Sequence, residues 1–354
     1  MSQPSLRIAL IAPLWFPVVA DRGGVEQIIF LLARELLARG HQVTLIASGD
    51  SAPLGRLVAI CPEGIVTAME KGKVDDYSYY EAAAIGETLR LASSVDLVHS
   101  HLNCALVPFA SLLSVPVLHT LHCSMARDML WLARRFPQTH FATVSHHQEV
   151  ALKEVGVRAV TPVVNGIEIA AFPFCADPQD YLLFLGRLDP IKGPHIAIEV
   201  AKALHHPLVL AGPTVNRPFF EKQIAPEVDG RLVRYVGPVH GTHKVELLRK
   251  AKGLLFPVLW DEPFGLAMVE AMACGTPVVA LRRGAVSEVI TPGVNGFYGE
   301  QPADLPALVE RLTEVDRAGV RRSVEERFSH HRMVRDYLAL YRELLQRREA
   351  RRKA

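Results

Sequence analysis

Nowhere in the 354 residues does a Gly-x-Gly occur, which removes the fingerprint that seats a dinucleotide pyrophosphate and with it a Rossmann dehydrogenase. A P-loop is likewise missing. No Asp-x-Asp is present, so the chain lacks that close pair of carboxylates for clamping a divalent ion. The five cysteines, Cys61, Cys104, Cys123, Cys175 and Cys274, are scattered and never spaced C-x-x-C. They read as reduced thiols, and the expected location is cytoplasmic; no basic, apolar and small-residue stretch of the signal-peptide kind opens the chain. Excess charge is also scarce. A formal net charge of +2 argues against broad nucleic-acid binding, because counterion release rewards dense basic surfaces. The basic cluster Arg347, Arg348, Arg351, Arg352 and Lys353 reads as a solvated helix end whose cations suit the dipole, with anionic membrane contact the lesser alternative. The longest apolar stretch, Ala105 to Leu121, is broken by Pro108 and Pro116 and predicts a helix, loop and strand passing through a core.

What is present is an alternation of short apolar runs with amphipathic helices, the pattern of doubly wound α/β sheets, in a chain long enough for about two domains. Leu6 to Ala12 predicts a buried strand, Val25, Ile28, Ile29, Leu32 and Leu36 one helical face, and Val43 to Ala47 the next strand. Further strands are expected at Leu97 to Ser100, Val115 to Thr120, Phe141 to Val144 and Val160 to Val164. A second series follows near Tyr181 to Gly186, Leu208 to Ala211, Leu232 to Val236, Leu254 to Phe256 and Val278 to Leu281. The expected division is a first domain over 1–167, a linker over 168–179 with Pro173 and Pro178, a second domain over 180–330 and a terminal helix over 331–354. That helix, with Val334, Tyr337, Leu338, Tyr341, Leu344 and Leu345 as its stripe, is expected to pack back on the first domain.

The polar residues that stand out gather where strands end. Glu262 precedes a short apolar helix and Glu270 lies about one and a half turns inside it, with Gly275 and Pro277 as the stop. The helix start offers N–H groups and positive dipole to a phosphate, while carboxylates suit hydroxyls. Phosphate flanked by polyols describes a nucleoside diphosphate sugar. Arg187 follows a strand, and Lys192-Gly193 precede a helix starting near Pro194, which adds two cations within one loop. Gly23 and Gly24 allow backbone N–H groups close to an anion after the first strand.

Taken in order, Gly23-Gly24-Val-Glu26, Asn165-Gly166-Ile167, Gly186-Arg187-Leu188, Lys192-Gly193, Glu262-Pro-Phe-Gly265, Glu270-Ala-Met-Ala, Gly275-Thr-Pro-Val278 and Gly284 with Glu288 resemble the glycosyltransferases of family 4 over nearly the whole chain. The stretch Arg187 to His195 and Arg283-Gly284-Ala285-Val286 are similar to the branch holding avilamycin-type and pteridine glucosyltransferases; many members have Gly-Gly where this chain has Gly284-Ala285. The resemblance implies the GT-B fold, two Rossmann-like doubly wound domains facing across a cleft. It further implies a retaining, metal-independent transfer of a hexose from a UDP- or GDP-sugar, UDP-glucose foremost, to a hydroxyl of an unknown small-molecule, saccharide or lipid-linked acceptor. No cofactor is expected. In the same terms Arg187 and Lys192 bind the diphosphate, Phe264, Gly265 and Leu266 supply backbone N–H groups, and Glu270 takes the ribose. Glu262 and His122 meet the donor sugar, and Gly24 closes over the donor or the acceptor.

The acceptor is expected at Trp15, Gly23, His101, Asn103 and Ser145. A zinc site built from His99, His101, His119 and His122 is the lesser reading, since no cysteine or carboxylate stands beside them at ligand spacing. His146-His147 and His330-His331 read as surface or capping residues. Met125 to Phe136 is amphipathic and predicts a helix packed on its own sheet, with peripheral membrane contact as the alternative. A sugar-nucleotide 2-epimerase and a noncatalytic nucleotide-sugar-binding protein compete with the transferase reading. The first lacks its motifs, and the intact set Arg187, Lys192, Glu262 and Glu270 disfavours the second.

Overall fold

The computed structural model describes residues 4–353, with side chains as far as residue 350, so those of Arg351, Arg352 and Lys353 lie outside the described residues. The chain divides into two compact units. The residues up to Gly166 and those from His330 onward form one, and Ile167–Ser329 form the other. Residues 168–179, expected as a linker, fall inside the second unit, where Cys175 N donates to Cys274 O at 3.0 Å and Arg317 Nε to Cys175 O at 2.8 Å.

The first unit is built on strands β1 (Arg7–Ile11), β2 (Gln42–Ala47), β3 (Arg56–Ala59), β4 (Leu97–Ser100), β5 (Val117–Leu121), β6 (His140–Thr143) and β7 (Val160–Pro162). They lie side by side in the order β3-β2-β1-β4-β5-β6-β7, every pairing parallel. Ile8 to Ile11, Val98, Leu118 and Leu121 are fully buried, as a sheet covered on both faces requires. β3 was not expected from the sequence. It is a short edge strand with the burial of a surface element, so Arg56-Leu-Val-Ala shows neither a hydrophobic run nor strict alternation.

The second unit contains β8 (Leu182–Leu185), β9 (Leu208–Ala211), β10 (Val233–Tyr235), β11 (Gly253–Phe256), β12 (Val278–Leu281) and β13 (Gly296–Gly299), in the order β10-β9-β8-β11-β12-β13 and again all parallel. β13, Gly-Phe-Tyr-Gly, is the other strand the sequence did not reveal; it is an edge flanked by glycines. In each sheet the winding reverses at one place, between β1 and β4 in the first unit and between β8 and β11 in the second. Chain leaving the carboxyl ends of those neighbours must diverge to opposite faces, which opens a crevice where such sheets bind ligands.

The terminal helix, His330–Lys353, belongs to the first unit. Tyr337 and Tyr341 are wholly buried in it, and Val334, Leu338 and Leu344 complete the buried stripe. Arg332 fastens its start by donating to the carbonyls of Val164 and Asn165. His330 departs from the surface role expected of it: only 6% is exposed, because the first helix, Gly24–Ala38, covers it and places Glu35 beside it. The helix Arg127–Arg135 turns Met129, Leu130 and Leu132 onto a cluster containing Leu121, Phe141 and Leu152, while Trp131 stays exposed. A cavity of about 350 Å³ opens at the amino-terminal edge of this sheet, by Val117, His140 and Leu344; on its cationic rim Arg347 pairs with Glu343 at 2.5 Å and Arg348 with the carbonyl of Ser114. Among the described residues no helix is long and apolar enough to cross a membrane.

Candidate active site

In the second unit the loops after β8 and β11 meet at the reversal point. Gly186 N still bonds Ala211 O at 3.0 Å, and the exposed Arg187 follows. The Asp189 side chain accepts from Ile191 N at 3.1 Å and folds Pro190–Lys192 into a single turn before the helix Pro194–Ala203. Leu259 N reaches back to Ile191 O at 2.8 Å and ties the two loops together. Lys192 therefore meets Glu262: Nζ lies 2.7 Å from Oε2, with the lysine side chain 16% and the carboxylate 9% exposed. Trp260 Nε1 donates to the same Oε2 at 2.8 Å, and Lys192 Nζ stands 4.4 Å from the centre of the indole. Cation, indole and carboxylate thus form one closed triangle, with both donors on a single oxygen.

The backbone beneath this triangle is fixed by Gly284. Its φ is +57°, and a Cβ there would fall 2.4 Å from both N and O of Glu262. Ala285 N donates to Glu262 O at 2.8 Å, so the turn after β12 packs directly on the residue. Phe264 and Gly265 are buried and lead into the helix Leu266–Ala273, whose N-cap Gly265 provides no side-chain cap for its first N–H groups. Glu270, 3% exposed, is met by Lys244 of the helix Gly241–Lys250, with Nζ 2.6 Å from Oε1. Both carboxylates of the pair singled out by sequence hold a lysine. Sequence reasoning identified Lys192 but missed Lys244 and Trp260.

In the first unit β1 ends at Ile11 and a loop runs to Gly23 before the first helix begins at Gly24. Glu26 is 4% exposed, and burial pushes its carboxyl up to about 7 against the opposing pull of its own N–H and that of Phe16. Gly23 beside it takes φ +66° and ψ 151°, a backbone conformation that strains any residue with a Cβ. Gly24 is exposed. Trp15, 39% exposed, stacks on Tyr77 at 4.1 Å between ring centres, a partner no sequence spacing announced.

The loops after β4 and β5 bring His101, Asn103 and His122 together. His101 Nδ1 lies 2.8 Å from His122 Nε2, and His122 N donates to Asn103 Oδ1 at 2.9 Å. Asn103 adopts φ +49°, which a short polar side chain tolerates. His101 is wholly buried, His122 half-buried, and burial keeps both imidazoles well below their ordinary pKa and therefore neutral. His99 lies against His101, 4.1 Å between ring centres, and is itself held by Tyr341 and Thr120 at 2.6 Å each. Ser145, 1% exposed, caps the helix His146–Glu154 by accepting from Gln148 N at 3.4 Å, and Gln148 Nε2 in turn donates to Cys123 O, next to His122, at 2.7 Å. The strand-end histidines do not gather as one ligand set, because His119 faces Phe141. Among the described residues the histidine and carboxylate atoms that do converge belong to Glu35, His330 and His331, where Arg39 also holds Glu35 at 2.8 Å.

The family described as Glycosyltransferase Family 4 matches residues 22–171, and that described as Glycosyl transferases group 1 matches residues 169–323. Glycogen synthase of Mycobacterium tuberculosis is 26% identical over 94% of this chain and 91% of its own. AviGT4, a glycosyltransferase involved in avilamycin A biosynthesis, superposes with a TM-score of 0.72 at 24% identity, covering 96% of this chain and 98% of that one. Anabaena HepE, solved in complex with UDP-glucose, does so with a TM-score of 0.73 at 18% identity over 94% and 99%. These structural likenesses establish the GT-B fold. With one family matching residues 22–171 and the other residues 169–323, the protein belongs to the family 4, group 1 glycosyltransferases.

Proposed function

We propose that the protein is a retaining, metal-independent hexosyltransferase that moves glucose from UDP-glucose to a hydroxyl of its acceptor. The observation that carries this reading is the triangle at Glu262. Lys192 and Trp260 both donate to Oε2, which leaves Oε1 for a hydroxyl of the sugar. An ammonium has three N–H donors, so Lys192 can keep its bond to Glu262 and still offer two to the diphosphate. Arg187 adds its planar fork, and Phe264, Gly265 and Leu266 add backbone N–H groups at the uncapped helix start. Glu270 takes the ribose hydroxyls beside Lys244.

The chemistry follows from where charge develops. As the anomeric C–O bond breaks, negative charge grows on the leaving diphosphate and positive charge on the sugar carbon. Cations fixed at the diphosphate therefore stabilise the transition state more than the bound donor. The acceptor hydroxyl attacks from the face the diphosphate leaves, its proton passes to the departing phosphate oxygen, and the new C–O bond keeps the anomeric configuration. Glu262 orients the sugar and does not attack it. His122, being neutral, hydrogen-bonds a sugar hydroxyl, and Gly24 closes on the donor phosphate or the acceptor. Trp15, Gly23, Asn103 and Ser145 belong to the acceptor side.

UDP-glucose is the first donor to try because it is bound by HepE, of the same fold. The acceptor stays open, since the relatives serve ends as different as glycogen and avilamycin A. The deciding experiment is incubation with a panel of nucleotide sugars and a metabolite extract, with and without EDTA. Mass spectrometry then identifies the new glycoside and NMR its anomeric configuration. A product of inverted configuration, or turnover abolished by EDTA and restored by a divalent ion, overturns the mechanism. Calorimetry with folded protein and no uptake of any sugar nucleotide overturns the function.

A further inference from the structure

His101 is too deeply buried to touch a substrate from where it stands: its exposure is 0%, and one ring nitrogen, Nε2, has no hydrogen-bond partner. Its other nitrogen is 2.8 Å from His122. Two neutral imidazoles can share that bond in only two ways. If His122 donates from Nε2, His101 must carry its own proton on Nε2, an orphaned N–H sealed from water. If His101 donates from Nδ1, its Nε2 holds only a lone pair. Orphaned buried N–H groups are rarer than under-used acceptors, so the second arrangement costs less. We propose that His101 is a positioning residue, donating from Nδ1 to His122 Nε2 and holding His122 as the tautomer protonated on Nδ1, the nitrogen left to donate to a hydroxyl of the donor sugar.

The surroundings make His101 a fixed donor. His101 N is bonded to Ile11 O at 2.9 Å, which continues the sheet past β4. On its far side the ring rests against His99, whose two nitrogens are both engaged, by Tyr341 of the terminal helix and by Thr120 of β5. Thr120 in turn lies 3.2 Å from the Tyr337 hydroxyl. A stack anchored in the terminal helix thus ends at the one histidine of the group that is partly exposed. Which nitrogen of a histidine carries the proton is set by the bond the other nitrogen makes. This assignment rests on the reading of His122 as a sugar contact, and it gives His101 a part other than the acceptor contact expected from sequence.

The test begins without substrate. In protein carrying ¹⁵N-labelled imidazoles, long-range ¹H–¹⁵N correlation reads each tautomer, with His122 assigned by its loss in His122→Asn. The expected result is His122 protonated on Nδ1, and the opposite tautomer overturns the proposal whether or not the protein transfers sugar. His101→Phe keeps a ring but has no donor, and His101→Asn returns an N–H near the position of Nδ1. By analogy with partners that orient metal-bound imidazoles, kcat should fall about 10- to 100-fold in His101→Phe, with less change in donor KM. In the same variant His122 should shift toward protonation on Nε2. His101→Asn should recover both. Equal losses in the two variants, or an unchanged tautomer in His101→Phe, show a merely structural residue. An absence of transfer with the tautomer as expected would instead indict the wider functional reading.

Discussion

Glu26→Gln should make the first unit more stable at pH 8 and leave it nearly unchanged at pH 4. The folded carboxyl keeps its proton up to about pH 7, whereas an unfolded one gives it up near 4.5. Between those values the folded chain binds more protons than the unfolded chain, so stability falls as pH rises and the loss is complete above 7. At about 1.4 kcal/mol for each pH unit between the two values, the cost at pH 8 is at most about 3.5 kcal/mol. Glutamine has the same shape, no charge to desolvate, and an oxygen that still accepts from Phe16 N. Urea unfolding followed by tryptophan fluorescence in a Trp260→Phe background isolates the first unit, because Trp15 and Trp131 are then the fluorophores left. The stability difference between the Glu26→Gln variant and its parent should open from near zero at pH 4 to its full value by pH 8. A difference that stays constant with pH, or a variant that is weaker by the same amount throughout, means the carboxylate is ionised in the folded chain and the reasoning fails. The loop at stake carries Trp15, Gly23 and Gly24, so the same titration should alter acceptor-side affinity over the same range.

Lys192→Met should lower kcat by about 10²–10³, the usual cost of removing one preorganised donor at developing charge, and should weaken UDP binding by calorimetry; wild-type kcat would refute its place at the leaving group. Trp260→Phe retains the ring under Lys192 but deletes the N–H to Glu262, a bond to a charged group worth about 1.5–3 kcal/mol, so kcat/KM should drop about 10- to 150-fold with the fold intact by circular dichroism. No change there would mean Glu262 is held by Lys192 alone. Tyr341→Phe strands the Nδ1 of the fully buried His99 and should cost about 1–3 kcal/mol in urea unfolding of the first unit, with an undiminished midpoint as the contrary result.

Sequence and structure agree where burial leaves a mark on composition. β8, β9, β11 and β12 lie in the middle of their sheet or next to it, and their runs of Leu, Val and Phe announce them. β3 and β13 lie at edges, where half-exposed chain has no such signature. The terminal helix was legible for the same reason: Tyr337 and Tyr341 recur at helical spacing because they are wholly buried. The residues of the two reversal points were legible as motifs, since glycines and charged groups at strand ends interrupt an apolar pattern. Their partners were not. Lys244 and Glu270 are 26 positions apart on different helices, and Trp15 and Tyr77 are 62 apart, so only the folded sheet order brings them together.

The two reversal points carry opposite electrostatic designs, and the difference is physical. In the second unit each buried carboxylate has its own lysine at 2.6–2.7 Å, so neither charge is buried unpaired before a ligand arrives. Under the proposed function, an arriving diphosphate meets lysines already in place, which need only share their remaining donors. In the first unit the cluster His99, His101, His122 and Asn103 is neutral and tied together, and the buried carboxyl of Glu26 keeps its proton up to about pH 7. Such groups can hold hydroxyls in place without competing for the diphosphate. A charge introduced among them, as in His101→Asp, would have to be desolvated beside neutral imidazoles. It should therefore damage the first unit more than the same change at exposed Arg187 damages the second, a contrast that unfolding of the two variants reads directly.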